Sequence, residues 1–464
     1  MEKTATFSEL GLSEVLTKAL SEVGFDHPFP IQEMAIPIAL SGADIIGQAR
    51  TGTGKTLAFG LPLLDHVLLS GDDDYEDLSL PDKPQALILT PTRELASQVT
   101  AELSAANKYR QARLLTVYGG VGYDDQVGSL NDGIDIVIGT PGRILDLADS
   151  GKLDLAGVVR LVLDEADEML DMGFLPDVER ILSKTSTDRQ SQLFSATMPG
   201  PIMALARAQM HQPVHLRAEG QDATLMVPET TQFVYQTHDL DKPEILGKLC
   251  QVSTLGKMMV FTQTKRSAAR LADELVDRGF AAVAIHGDLT QQARERSLRR
   301  FRKGDAKVLV ATDVAGRGID VSGVTHVVNF ECPDDEKTYV HRIGRTGRAG
   351  ASGVAITFID WADTTRWKVI NRALELPFDE IVESYSTTPQ LLSDLKIPEG
   401  VKGRLASPKP RPPRQDRDRR EQRQSIDFDD QSQGGRRERA RRQGDKTEPT
   451  GNRQRRRTRN GKPI

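Results

Sequence analysis

Cysteine is almost missing from this chain. Of 464 residues only Cys250 and Cys332 carry a thiol, with no metal-ligand spacing between or around them. That excludes a cysteine metal centre and fits a reducing compartment, with both thiols as ordinary buried or surface groups. Long apolar runs are missing too. Those present are broken by polar residues well short of a spanning length, and the opening MEKTATFSEL has no apolar signal-peptide core, so a cytoplasmic protein with no membrane partner is expected. Aromatic residues make up 5%, which leaves no recognition module built on stacking. What is there, 38% hydrophobic and 27% charged, suits a soluble globular protein with room for two or three domains.

The net charge of -5 conceals a division. From Val401 to Ile464 there are 21 Lys and Arg against 9 Asp and Glu, a net of +12, which leaves residues 1–400 with 40 against 57, a net of -17. Apart from the isolated Ile426 and Phe428 this tail has almost no large apolar residues, so it cannot bury enough surface to offset ordering entropy. A disordered basic tail over 401–464 is expected. Runs such as Arg436-Arg437 and Arg455-Arg456-Arg457 suit attraction to a nucleic-acid backbone through counterion release, although a merely solubilising tail would have the same composition.

Two segments 109 residues apart carry chemistry. Ala49-Arg50-Thr51-Gly52-Thr53-Gly54-Lys55-Thr56 follows a short apolar stretch, Ala43 to Gly47, and precedes Leu57-Ala58-Phe59, which reads as helix. That is the strand, loop, helix context of a phosphate loop. Glycines at 52 and 54 let backbone N–H groups curl around anionic oxygens, Lys55 reaches the β- and γ-phosphates, and the Thr56 hydroxyl ligates Mg²⁺. A glycine-rich turn with a surface lysine would share this local pattern, and Ala49 stands where the common motif has glycine. The second segment, Leu161-Val162-Leu163 followed by Asp164-Glu165-Ala166-Asp167, strengthens the first. Asp164 at a strand's carboxyl end would hold Mg²⁺, and Glu165 would orient and deprotonate the water that attacks the γ-phosphate.

Apolar strands alternate with helical patterns in two rounds, which predicts two α/β domains with mostly parallel sheets. Residues 86–90, 134–138 and 159–163 are strand candidates of the first round, and 257–261, 281–285, 307–311, 324–328 and 353–358 of the second. Domain boundaries fall at 1–216, a linker at 217–230, 231–395 with a short helical extension over Asn371 to Leu395, and the tail. The acidic stretch Gly71 to Asp82 reads as a solvated loop. In the second round the strand equivalent to the one before the phosphate loop runs into Thr262-Gln263-Thr264-Lys265-Arg266, with no phosphate loop. It offers Arg342, Arg345 and Arg348 at three-residue spacing instead. Three like charges so close repel, and make sense aimed at an anion; on domain closure Arg345 and Arg348 would act as arginine fingers.

Taken together, these motifs resemble those of the DEAD-box RNA helicases of superfamily 2, across about residues 7 to 358. The resemblance implies two tandem RecA-like domains, ATP with Mg²⁺, and RNA. Gly24-Phe25-Asp26-His27-Pro28-Phe29-Pro30-Ile31-Gln32 is similar to the family's Q motif, so Gln32 would read the adenine edge while Phe7, seventeen residues before Gly24, stacks on its ring and Phe25 adds a contact. Phe29 departs from the usual threonine, and Gly316 from a common alanine. Gly318 and Asp320 would join the nucleotide site. Ser195 and Thr197, in a Ser-Ala-Thr motif, would couple nucleotide state to closure with Asp167 and His341.

By the same resemblance the RNA face comprises Pro91, Thr92, Arg93, Gly119, Gly120, Thr140, Pro141, Gly142, Arg143, Gln291, Arg294, Thr312 and Asp313. Their hydroxyls, guanidiniums and exposed amides suit sugar-phosphate contact, largely independent of sequence and assisted by the tail. ATP and single-stranded RNA together would close the domains and bend the RNA away from duplex geometry. An ATP-gated RNA clamp and a DNA translocase stay open as alternatives, and so do the pathway and partners, ribosomal precursors and RNA-decay proteins among them.

Overall fold

The computed structural model describes residues 5–49, 53–78, 80–81, 83–217, 230–319, 321–347 and 352–405. Arg50, Thr51, Gly52, Asp320, Arg348, most of the expected linker and residues 406–464 of the expected tail lie outside the described residues.

Two seven-stranded sheets dominate the described residues. The first orders its strands β3-β4-β2-β5-β6-β1-β7, with β1 Ile45–Gln48, β2 Ala86–Leu89, β3 Leu114–Val117, β4 Ile136–Gly139, β5 Arg160–Asp164, β6 Gln190–Ser195 and β7 Val214–Arg217. The second runs β10-β11-β9-β12-β13-β8-β14, with β8 Thr230–Gln236, β9 Lys257–Thr262, β10 Ala282–Ile285, β11 Val308–Thr312, β12 Val324–Asn329, β13 Gly353–Ile359 and β14 Val382–Glu383. All strand pairs are parallel. Helices must therefore cover both faces, and the strands read as unbroken apolar runs. In β2, Ala86 and Ile88 enter the core on one face, Leu87 and Leu89 on the other.

The expected α/β architecture is present, and several details correct the sequence reading. β6 reads as polar, Gln-Ser-Gln-Leu-Phe-Ser, yet every residue is buried. Part of that polarity is met from the flank: Gln190 Nε2 donates to the Ala39 and Ala43 carbonyls, and the Ser191 N–H to Asp44 Oδ1, while Ser191 Oγ and Gln192 Oε1 have no partner among the described residues. β7 and β8 each extend one residue beyond the expected boundaries, to Arg217 and from Thr230. The extension after the second sheet is not purely helical, since β14 lies inside it as an edge strand on β8. Nor is the acidic stretch wholly free, because Asp72 pairs with Arg110. Residues 401–405, assigned to the tail, pack on the second half: Gly403 N–H donates to Glu244 Oε1 and Leu405 N–H to the Arg278 carbonyl.

Strand order also corrects the equivalence between halves. β8, not β9, occupies the place of β1, while β9 corresponds to β2. The residues after those two strands agree. Thr90 Oγ1 donates to the Thr92 carbonyl and Thr262 Oγ1 to that of Thr264, and Thr92 and Thr264 each cap the following helix by accepting from Leu95 N–H and Ser267 N–H.

Candidate active site between the two halves

Parallel strands deliver their following loops to one edge of a sheet, which is where side chains converge. The helix Lys55–His66 follows β1 and opens on Gly54, whose φ of 84° and close neighbours favour glycine. A Cβ there would stand 2.5 Å from Gln32 Nε2. Gln32 is buried and ties the loop down: its Nε2 donates to the Gly54 carbonyl at 2.9 Å, and its Oε1 accepts the Phe29 N–H at 2.9 Å. From β5 come Asp164 and Glu165. Glu165 holds φ 52° and ψ 52°, a left-handed conformation that costs a glutamate about 1–2 kcal/mol and turns the chain into the next helix.

These groups line one cavity of about 510 Å³, shared by Phe25, Phe29, Gln32, Gly54, Lys55, Thr56, Asp164 and Glu165 with Gly318 and Arg345 of the second half. Among the described residues, Lys55 Nζ and Glu165 Oε2 are buried with no hydrogen-bond partner. Burial pushes the Asp164 and Glu165 carboxyls well above the ordinary range, only partly opposed by Lys55. Such groups left unsatisfied are costly unless a ligand completes them. Asp167 behaves differently. Burial works against its charge, but Ser195 and Thr197 outweigh that and hold its carboxyl below the usual value. The Thr197 N–H and hydroxyl donate to Asp167 Oδ2 at 2.9 and 2.8 Å, and the Asp167 N–H donates to Ser195 Oγ at 3.1 Å.

The second half supplies Arg345, 7% exposed. Its Nε donates to the His341 carbonyl and its Nη1 to that of Ile319, both at 3.3 Å, while Nη2 lies 3.7 Å from Glu168 Oε1 across the junction. His341 is pushed below its usual pKa by burial first and by Arg345 second, and its Nδ1 has no partner among the described residues.

The DEAD/DEAH box helicase family model matches residues 29–205, and the helicase conserved C-terminal domain matches 241–350. The chain is 46% identical to the DEAD-box ATP-dependent RNA helicase CshA of Bacillus cereus over 376 residues, 81% of this chain and 69% of that protein. It is 45% identical to CshA of Bacillus subtilis over 374 residues, 80% and 72% of the two chains. The chain belongs to the DEAD-box ATP-dependent RNA helicases. Among solved structures, S. cerevisiae Dbp5 bound to RNA and ADP BeF3 matches this helicase with a TM-score of 0.72 at 32% identity, over 84% of this chain and 98% of that one.

The site departs from the sequence reading at several residues. Phe7 does not reach the cavity. It is 3% exposed and packs in the core that contains Leu16, Leu20 and Ile31, whereas Phe25 and Phe29, 42% and 48% exposed, form the aromatic wall. Arg342 is not aimed at a ligand either. It is buried, and its Nε and Nη2 donate to the two carboxylate oxygens of Asp313 at 2.6 and 2.7 Å, with Nη1 donating to the Glu331 carbonyl. Asp313, assigned to the RNA face, thus has a structural partner of its own, and its charge would repel phosphate.

Four other residues assigned to RNA, Thr92, Arg93, Gln291 and Arg294, are held in contacts of their own. The Thr92 hydroxyl is a helix cap, Arg93 Nη1 donates to Gln291 Oε1 at 3.3 Å across the halves, and Arg294 Nε donates to Glu94 Oε1 at 2.9 Å. Gly318 closes the junction further: at φ 64°, a Cβ on it would stand 2.0 Å from Thr92 Oγ1. Gly120, Thr140, Pro141, Gly142 and Arg143 sit in turns or helix starts after β3 and β4, and Thr312 ends β11, with Arg93 guanidinium nitrogens 2.3 and 3.5 Å from where Cβ atoms on Gly120 and Gly119 would lie. Gly316 has a local reason: a Cβ would meet the Phe261 ring at 2.7 Å. Sequence reasoning missed Glu94 and Glu168 as partners of Arg294 and Arg345, and no local signal marks a partner 200 or 177 positions away.

Proposed function

We propose that ATP and single-stranded RNA bind together across the two halves of this helicase, each raising affinity for the other, and that ATP hydrolysis releases the closed state. The observation that carries this reading is the placement of Lys55 Nζ and Glu165 Oε2, both buried and unpartnered among the described residues, in a cavity whose far wall is Arg345 of the other half. Gln32 and Phe25 hold the base, and Lys55 the β- and γ-phosphates. Glu165 accepts the proton of the attacking water, its raised pKa making it a competent base near neutral pH. Arg345, with Arg348 by resemblance, stabilises charge developing on the transferred phosphoryl group. Asp320 joins the nucleotide by resemblance alone.

Thr56 and Asp164 line the cavity and offer the hard oxygen donors that suit Mg²⁺, which when bound would neutralise phosphate charge. Asp167, Ser195 and Thr197 couple the carboxylate segment to the neighbouring strand β6, with His341 facing them from the second half. RNA as the partner is supported by Dbp5 bound to RNA and Mss116p bound to single-stranded RNA, and the bent backbone path would run over Pro91, Arg93, Gly119, Gly120, Gly142, Arg143 and Thr312. The basic tail tethers RNA non-specifically. A cytoplasmic setting agrees with the free thiols Cys250 and Cys332.

Glu165→Gln tests the assignment. It should retain ATP and RNA binding while RNA-stimulated ATP turnover disappears; near-normal turnover would sink the reading. A parallel assay on short duplexes distinguishes strand separation from a clamp that holds RNA without unwinding it.

A further inference from the structure

Glu168 enters the chemistry described above only through its charge, which adds to the upward push of burial on Glu165, yet it is 4% exposed, and its Oε2 finds no hydrogen-bond partner among the described residues. Its other oxygen lies 3.7 Å from Arg345 Nη2, within ion-pair reach and beyond a good hydrogen bond, with both side chains almost fully enclosed. The guanidinium is otherwise held by two carbonyls of its own half, His341 and Ile319, through long hydrogen bonds. Those contacts fix Arg345 to the half it comes from. Glu168 supplies the contact that fixes it to the half carrying Lys55, Asp164 and Glu165. A structural tie between the halves does not need this pair, since Arg294 already meets Glu94, and Arg317 meets Asp171 at 3.8 Å.

We propose that Glu168 is a positioning residue for Arg345: it draws the guanidinium across the junction and holds it against the phosphate chamber, so that closure of the halves delivers the arginine already aligned. This rests on the reading of Arg345 as the arginine that meets the γ-phosphate. Because Arg345 acts on phosphate only in the closed state, loss of Glu168 should fall on turnover and spare the binding of ATP. The carboxylate is surrounded by charge from both sides, with Asp167 and Glu165 from its own half and Arg345 and Arg317 from the other. Removing its charge while keeping its shape is therefore the informative change.

The test is a double-mutant cycle on the full chain, with RNA-stimulated ATPase measured for wild type, Glu168→Gln, Arg345→Ala and the double variant. Thermal melting of each guards against misfolding, and Glu168→Asp serves as the conservative control. Glu168→Gln should lower kcat about tenfold with KM for ATP within about twofold, and should cost nothing further once Arg345 is gone. Glu168→Asp, which keeps the charge, should retain more of kcat than the glutamine variant. Equal loss in both Arg345 backgrounds, or a change confined to KM or to melting temperature, would overturn the proposal. An Arg345→Ala protein with unchanged kcat would instead refute the arginine reading on which it rests.

Discussion

The two halves place a lysine at the same point of the same fold and treat it in opposite ways. Lys55 opens the helix after β1, and Lys242 opens the helix after β8, the strand in the matching position. Lys55 is buried with an unpartnered ammonium among the described residues, facing Asp164 at the end of β5. Lys242 is equally buried but pairs with Asp239 at 2.6 Å and lies over the Phe330 ring, which by strand register stands where the first half has Asp164. The second half has resolved internally what the first leaves open. A parallel α/β sheet thus supplies the position, and function begins where the position is left unsatisfied.

The contrast can be broken most decisively with the arginines. Arg345→Ala should reduce ATP turnover by about 10³-fold while the protein melts near its usual temperature. Arg342→Ala, three residues earlier, should destabilise the second half by about 3–5 kcal/mol through the stranded Asp313, measurable by urea unfolding. Reversal of those two outcomes would undo the assignment. The lysines come next. Lys55→Ala should slow turnover by about 10²-fold, whereas Lys242→Ala should leave turnover within a few-fold and lower stability by about 1–3 kcal/mol.

The smallest effect concerns pH. Burial raises the folded-state pKa of Glu165 above its unfolded value, so its stabilising contribution is complete below the ordinary carboxylate range and is lost as pH rises through the raised value. Glu165→Gln should therefore raise the melting temperature of the ligand-free protein at neutral pH by about 2–4 °C, a gain that fades on acidification. An unchanged melting temperature across that window would mean the carboxyl is not strained by burial.

Much of this was legible in the sequence because it is local. The phosphate loop, the strand ending in Asp164 and the alternation of apolar strands with helices depend on neighbours along the chain. What was not legible depends on distant partners. Arg342 looked like a ligand group because Asp313, its partner, lies 29 positions back on another element. Phe7 looked like a stacking ring because nothing near it announces the core it enters. β8, with the sequence Thr-Thr-Gln-Phe-Val-Tyr-Gln, is too polar to stand out, and its omission shifted the match between the halves by one strand. β6 was hidden for the same reason, its Gln190 being held by carbonyls more than 140 residues away.

Gln32 carries a consequence for nucleotide choice. A side-chain amide has two hydrogens and two lone pairs, and here one hydrogen is committed to the Gly54 carbonyl and one lone pair to the Phe29 N–H. One of each is left over. On the proposed reading, that remainder matches the adjacent acceptor and donor of adenine, N7 and N6, whereas guanine offers two acceptors, N7 and O6, and would set its O6 against the spare lone pair. Selection of the base then follows by subtraction: the loop's own structure takes half of the amide, and what it leaves untouched spells adenine.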